Sequence, residues 1–264
     1  MVPDFVKYPR IPHLYEASDL LDNPVSVFEK MDGGNSQIRK SEGRIFTGSR
    51  ARFLSERRDK NAWFPNFLSF VMKNPTFYNL PENLIIFTEW LSQHTLDYTP
   101  QSRNQAYLLD VYDTKEMRFL PYQEGLELLT SLGIKGVNFL KPIFSNRKVG
   151  VSELKEVLLD RDSDYRNPGK KMEGVVLKDY SSQRFAKFWR RSAMKRVDYI
   201  DEDDLRRAVF GLVDEDKPIR YDLVLGKIEE NLYEEQRGVD EEIIETFLKM
   251  FFDDSGQLKK NRLK

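Results

Sequence analysis

The sequence predicts an α+β fold built mostly on antiparallel strands, followed by a small all-α C-terminal domain. Three observations lead there. Runs rich in aliphatic and aromatic residues, such as 84–90 and 106–112, recur between turn residues through the first 198 positions. Helical periodicity interrupts these runs only here and there. Beyond Asp198 the strand signals end, and amphipathic helical patterns follow over 202–212, 222–233 and 240–251. The domain boundary is therefore read at residue 198, dividing the chain into 1–198 and 199–264.

Each element has a local reason. Residues 25–31 make a strand that runs into Asp32-Gly33-Gly34, where glycine lets the backbone turn tightly and approach a ligand. Residues 35–40 and 44–48 read as a hairpin across Ser41-Glu42-Gly43. Residues 63–73 are apolar at helical spacing. Residues 84–90 and 106–112 are the strongest strands. Residues 122–132 and 151–159 read as helices, with Gly133 stopping the first. The polar, turn-rich segment 161–171 reads as a loop. Residues 173–178 and 184–189 return to strand.

Composition narrows the chemistry. The 264 residues are 40% apolar and 32% charged, enough to bury a core and stay soluble. There is no cysteine, which excludes disulfides, thiolate zinc sites and iron–sulfur clusters. His13 and His94 are the only histidines, so a His-rich metal site is excluded as well. A metal would be held by carboxylates, phosphates and water, which favours Mg²⁺ or Mn²⁺. No apolar stretch approaches the ~20 residues that span a bilayer, and the N-terminus lacks the features of a signal peptide. A cytoplasmic, intracellular setting is expected. Residues 199–264 carry 18 acidic and 11 basic residues, whereas the first 198 carry 25 and 31. A basic body with an acidic tail suits a polyanionic partner on the body.

Five separated segments carry groups suited to nucleotidyl transfer. They are Lys30-Met31-Asp32-Gly33, Gly48-Ser49-Arg50, Phe87-Thr88-Glu89, Glu173-Gly174-Val175-Val176-Leu177-Lys178 and Phe185-Ala186-Lys187-Phe188-Trp189. A lysine amine can attack phosphorus and carry a nucleotide as a phosphoramidate once its pKa is lowered. Phosphoryl transfer otherwise asks for positioning and charge neutralisation. Read alone, Lys30 is an exposed lysine in a turn, and Arg50, Glu89 and Glu173 are solvated strand ends. The ordered set points elsewhere.

That set resembles the covalent nucleotidyltransferase superfamily of ATP-dependent DNA ligases, RNA ligases and mRNA capping enzymes, over residues 25–190. Lys7-Tyr8-Pro9-Arg10-Ile11-Pro12 and the asparagine five residues after Lys30 look most like the RNA ligase branch, in particular its phage-type RNA ligase 2 group. The resemblance implies an ATP-grasp-like ligase domain, ATP and Mg²⁺ (or Mn²⁺) as cofactors, and RNA with 5′-phosphate and 3′-hydroxyl ends as partner. It implies that Lys30 becomes AMP-linked, with Glu29 and Met31 beside it in the nucleotide site. Asp32 would orient the lysine or a metal-bound water, and Asn35 would support phosphate positioning. Arg50 and Glu89 would contact the ribose. Glu173 would bind the metal, and Lys187 the α-phosphate. Positive charge near Lys30 is expected to lower its pKa.

Two positions depart from the family pattern. Leu109 stands where an aromatic ring usually meets the adenine, and Tyr107, two residues earlier on the same strand face, is the candidate replacement. The last motif has Lys187 but no second lysine, with Lys195 or a nearby arginine as the candidate substitute. Basic residues interleaved with aromatics over 184–196, and a second cluster of Arg50, Arg52, Arg57, Arg58 and Lys60, suit RNA phosphates and bases. Helical signals after Asp198 disfavour the β-barrel domain that follows the last motif in DNA ligases and capping enzymes. A DNA ligase and a non-catalytic RNA-binding protein remain the alternatives. The helical tail reads as an ordinary subdomain, with a homodimer through it as the alternative.

Overall fold

The computed structural model describes residues 2–55, 65–92, 96–189 and 219–234, together with residues 205, 207–209, 212, 244, 248, 251 and 252. Two sheets carry the first part of the chain. The strands are β1 (Val25–Glu29), β2 (Gly34–Ser41), β3 (Arg44–Ser49), β4 (Leu84–Trp90), β5 (Ala106–Asp113), β6 (Arg118–Phe119), β7 (Val137–Asn138), β8 (Phe144–Arg147), β9 (Gly174–Asp179) and β10 (Arg184–Trp189). One sheet has the order β10-β9-β1-β8 and the other β3-β2-β4-β5-β6, with β7 lying parallel to β5. The pairs β1–β8, β1–β9, β2–β3, β2–β4, β4–β5 and β5–β6 are antiparallel, as the sequence predicts.

The central strand β4 forms where the sequence is apolar on both faces. In β4 every side chain is buried except that of Glu89, which is half-buried. Its alternating residues feed two clusters: Ile86 and Trp90 pack with Ile38, Leu108, Phe67 and Leu129, while Ile85 and Phe87 pack with Tyr8, Phe119 and Phe185. The β2–β3 hairpin closes through Glu42 and Gly43, both at positive φ (47° and 69°), the mirror-image turn that matches strand twist.

Helices α1 (Pro65–Met72), α2 (Tyr122–Ser131), α3 (Val151–Asp160) and α4 (Tyr221–Glu234) fall within a residue or two of the expected segments. Gly133 (φ 68°) ends α2, where Ile134 N–H reaches back to Leu129 O. Residues 161–171 form a loop pinned by bridges between Asp162 and Lys171 and between Tyr98 and Arg166. The 3₁₀ helices Leu14–Asp22 and Pro75–Asn79 and strands β6, β7 and β8 carry no clear periodicity and were not expected. β8, Phe-Ser-Asn-Arg, is exposed and pairs only as the edge of its sheet.

The chain divides into two compact units, Met1–Ile11 with Asp19–Phe188, and Pro12–Ser18 with Trp189–Lys264. In the second, Leu205, Val209, Leu212, Val224, Ile228, Ile244, Leu248 and Phe252 share one core. Tyr15 packs so closely on α4 that a methyl group at Gly226 would lie 2.1 Å from its ring. His13 packs beside the rings of Tyr15 and Trp189. The helices expected over 202–212 and 240–251 lie largely outside the described residues, although residues 205, 207–209, 212, 244 and 248 are helical. The expected boundary at 198, His94, Arg57, Arg58, Lys60, Lys195 and the basic residues of 190–196 lie outside the described residues.

Candidate active site

Sheet pairing brings the distant segments together. Strands β1 and β9 run antiparallel with Glu29 opposite Val175, and the Lys30 N–H donates to Gly174 O at 2.9 Å. This register sets Lys30 beside Glu173, across 143 positions of sequence, with Nζ donating to Oε1 at 2.7 Å. Strand β2 pairs with β4 so that Asn35 lies opposite Glu89. At the turn between β1 and β2, Gly33 N–H donates to Glu89 Oε1 at 3.1 Å. A methyl group at Gly33 would meet Trp90 O at 2.6 Å, so the approach requires glycine. Asp32 is held twice: its N–H donates to the Tyr98 hydroxyl at 2.7 Å, and its Oδ2 accepts from Leu96 N–H.

Of these, Lys30, Gly33, Asn35 and Glu89 border a cavity of about 510 Å³, a size that suits a nucleotide, while Asp32 does not line it. Its charged and polar lining comes from Lys30, Asn35, Arg50, Glu89 and Lys187, and its apolar lining from Phe28, Leu109, Leu140 and Val176. Met31 and Glu29 also border it. Glu173 lies behind Lys30 rather than in the wall.

The electrostatics correct one expectation. Burial works to lower the pKa of Lys30, but Glu173, followed by Glu89 and Asp32, outweighs it and holds the ammonium above the ordinary lysine value. Lys30 is therefore raised, not lowered, because carboxylates surround it. Burial raises Glu173, with Lys30 and Lys187 opposing. Burial likewise pushes Glu89 up to about 7 against the pull of Lys30 and the Gly33 N–H. Glu29 also rises to about 7 through burial, against donors from Ser163 and Asp164.

Two buried oxygens here, Glu173 Oε2 and Asn35 Oδ1, have no hydrogen-bond partner among the described residues. Hard oxygen donors of this kind fit Mg²⁺ or Mn²⁺. Among the described residues no group of three His, Asp or Glu side chains is placed to hold a metal alone, so a cation would take further ligands from phosphate and water.

A family model for RNA ligases matches residues 23–197. The chain belongs to the RNA ligase family. No curated protein gives a significant sequence match. Among solved structures, a Naegleria gruberi RNA ligase mutant with ATP and Mn aligns at TM-score 0.58 and 19% identity, covering 73% of this chain and 58% of that one. The Naegleria gruberi RNA ligase with PPi aligns at TM-score 0.57 and 19% identity, over 72% and 57%. A further mutant of that ligase, with AMP and Mn, aligns at TM-score 0.55 and 18% identity, over 73% and 58%. The likeness is one of fold, and the chain spans under three fifths of the length of these ligases.

At this site Leu109 lines the cavity but Tyr107 does not. Tyr107 is buried, its ring packs edge-on against Tyr165, and its hydroxyl reaches Ser102 O. The proposed aromatic replacement is thus engaged elsewhere. Two residues that sequence reasoning left unassigned also border the cavity. Lys178 is fully buried and donates to Asp110 Oδ2 at 2.9 Å and to Leu109 O at 2.7 Å. Tyr8 donates to the same carboxylate at 2.5 Å, and Tyr180 donates to its other oxygen at 2.8 Å. Both lay inside quoted motifs, Lys7–Pro12 and Glu173–Lys178, but a lysine ending an apolar strand carries no local sign of its partner.

Proposed function

We propose that this chain is an ATP-dependent RNA ligase that joins 3′-hydroxyl and 5′-phosphate RNA ends through a lysyl-AMP on Lys30. The observation that carries the reading is the Lys30–Glu173 pair beside a nucleotide-sized cavity bordered by Asn35, Arg50, Glu89 and Lys187. The ligases of similar fold, described with ATP and Mn, with AMP and Mn and with PPi, support ATP as substrate and pyrophosphate as the first product. Residues 1–198 serve as the adenylyltransferase domain and 199–264 as a helical domain. The setting is cytoplasmic; among the described residues no helix is long and apolar enough to cross a membrane.

Lys30 must shed a proton before its lone pair can attack. Glu173 Oε1 is hydrogen-bonded to it, and burial raises the proton affinity of that carboxyl, so Glu173 is placed to take the proton. Nζ then forms a bond to the α-phosphorus as the bond to the pyrophosphate oxygen breaks. A Mg²⁺ or Mn²⁺ ion held by Glu173, Asn35, phosphate and water would supply charge neutralisation. Arg50 and Lys187 orient the phosphates and ribose, and the apolar wall of Phe28, Leu109 and Val176 takes the base. AMP then passes from Lys30 to the 5′-phosphate end, and attack by the 3′-hydroxyl releases AMP and seals the strand.

Incubation with ATP and Mg²⁺ should add one AMP to Lys30, read by intact mass and peptide mapping. Equal labelling of Lys30→Met, or none of the wild type, overturns the reading. Nicked RNA, DNA and hybrid duplexes then define the polynucleotide.

A further inference from the structure

Lys30 is flanked by two anchored residues whose anchors are bonded to each other. On one side, Glu29 is buried and its carboxylate accepts a hydrogen bond from the Ser163 hydroxyl and another from Asp164 N–H at 3.2 Å. The Ser163 oxygen also accepts from Tyr165 N–H and Arg166 N–H, both at 3.1 Å, so one hydroxyl folds the loop and ties it to β1. On the other side, Asp32 is held by the Tyr98 hydroxyl and by Leu96 N–H. The two anchor segments then join. Thr99 N–H donates to Tyr165 O, and Asn167 N–H donates to Asp97 O, both at 3.1 Å, while Tyr98 and Arg166 form a backbone bridge.

We infer that Glu29, Ser163 and Tyr98 are positioning residues that close a hydrogen-bonded ring around Lys30 and set its amine for attack before the nucleotide arrives. This rests on the ligase reading above. The ring runs from Glu29 through the 163–167 loop and residues 97–99 to Asp32, and returns along the chain through Lys30. Ser163 and Tyr98 are not among the residues that line the nucleotide cavity. Their effect therefore passes through the backbone on either side of the nucleophile. Misplacement of a reacting group by about 1 Å costs on the order of 10²-fold in rate.

The test is single-turnover formation of Lys30-AMP across a range of ATP concentrations. Ser163→Ala removes the hydroxyl that bridges Glu29 and the loop, and Tyr98→Phe removes the acceptor for Asp32 while keeping the buried ring. Each should lower the maximal rate by roughly 10- to 100-fold and leave the half-saturating ATP concentration within about threefold. Ser163→Thr, which keeps the hydroxyl, should restore most of the rate, and this separates positioning from a general loss of fold. Because both bonds belong to one ring, the double variant should be little slower than the slower single. Wild-type rates in both single variants, a loss confined to ATP affinity, no rescue by threonine, or losses that multiply would each overturn the ring. An unlabelled wild type would instead overturn the ligase reading on which the ring rests.

Discussion

Two lysines of this fold pair with carboxylates beside one cavity, and they are built for opposite ends. Lys178 is fully buried, its ammonium bonded to Asp110 and Leu109 O, and Asp110 is further satisfied by Tyr8 and Tyr180. Lys30 keeps about a fifth of its side chain exposed (21%), borders the cavity, and pairs with a carboxylate whose second oxygen has no partner among the described residues. Burial dominates at Lys178 and lowers its pKa despite Asp110, whereas surrounding carboxylates raise Lys30. A completed pair fixes structure. An incomplete pair with access to a cavity leaves a proton to move and an oxygen to bind something else.

The sharpest way to break this comparison is to change each lysine to methionine. Lys30→Met should abolish AMP transfer, a loss beyond about 10³-fold, with a smaller drop in the urea midpoint than Lys178→Met. Lys178→Met leaves Asp110 buried without its cation and should cost about 3–5 kcal/mol in equilibrium unfolding. If Lys178→Met is as stable as wild type and only the labelling suffers, Lys178 belongs to the chemistry and the contrast fails.

Titration offers a second test. Glu29 and Glu89, on the Lys30 side, have folded pKa values near 7 against ordinary values of 4.5. Between those limits the folded state holds protons that the unfolded chain has lost, so folding takes protons up. Their contribution is therefore greatest below pH 4.5 and is lost as pH rises through 7, on the order of 3 kcal/mol for each carboxyl. Urea unfolding at pH 5 and 7.5 should show stability falling more steeply in wild type than in Glu29→Gln, which has no proton to release. Parallel slopes would place the titrating group elsewhere.

The smallest expected effect concerns the turn after Lys30. A methyl group at Gly33 meets Trp90 O and the Leu91 side chain at 2.6 and 2.8 Å. Gly33→Ala should cost roughly 1–3 kcal/mol. It should also slow AMP transfer by loosening the Gly33–Glu89 bond. Unchanged thermal unfolding would show that the turn shifts freely and that Lys30 is less constrained than its neighbours suggest.

Much of this molecule was legible from local pattern. β4 spans the predicted strand 84–90, because an apolar run with one acid at its end has few other uses. Gly133 ends α2 as expected, since the required φ is positive. What escaped was set at a distance. β8 is polar and exists because β1 offers it an edge. Tyr107 shares a strand face with Leu109, yet Tyr165 takes its ring. Lys178 read as the last residue of an apolar strand, and Asp110 is the partner that makes its burial tolerable.

By itself the sequence determined the order of the reactive segments, the strand and helix periods, and the absence of cysteine chemistry, all properties written in neighbouring residues. Only the tertiary structure decided which carboxylate meets which lysine. Glu173 reaches Lys30 through the register of β1 on β9, across 143 positions, whereas Asp110 reaches Lys178 from one sheet to the other, across 68. A shift of one residue in the β1–β9 pairing would turn each of its side chains to the other face of the sheet, and Lys178 would no longer point at Asp110. The packing that holds the register therefore chose the partner of Lys30.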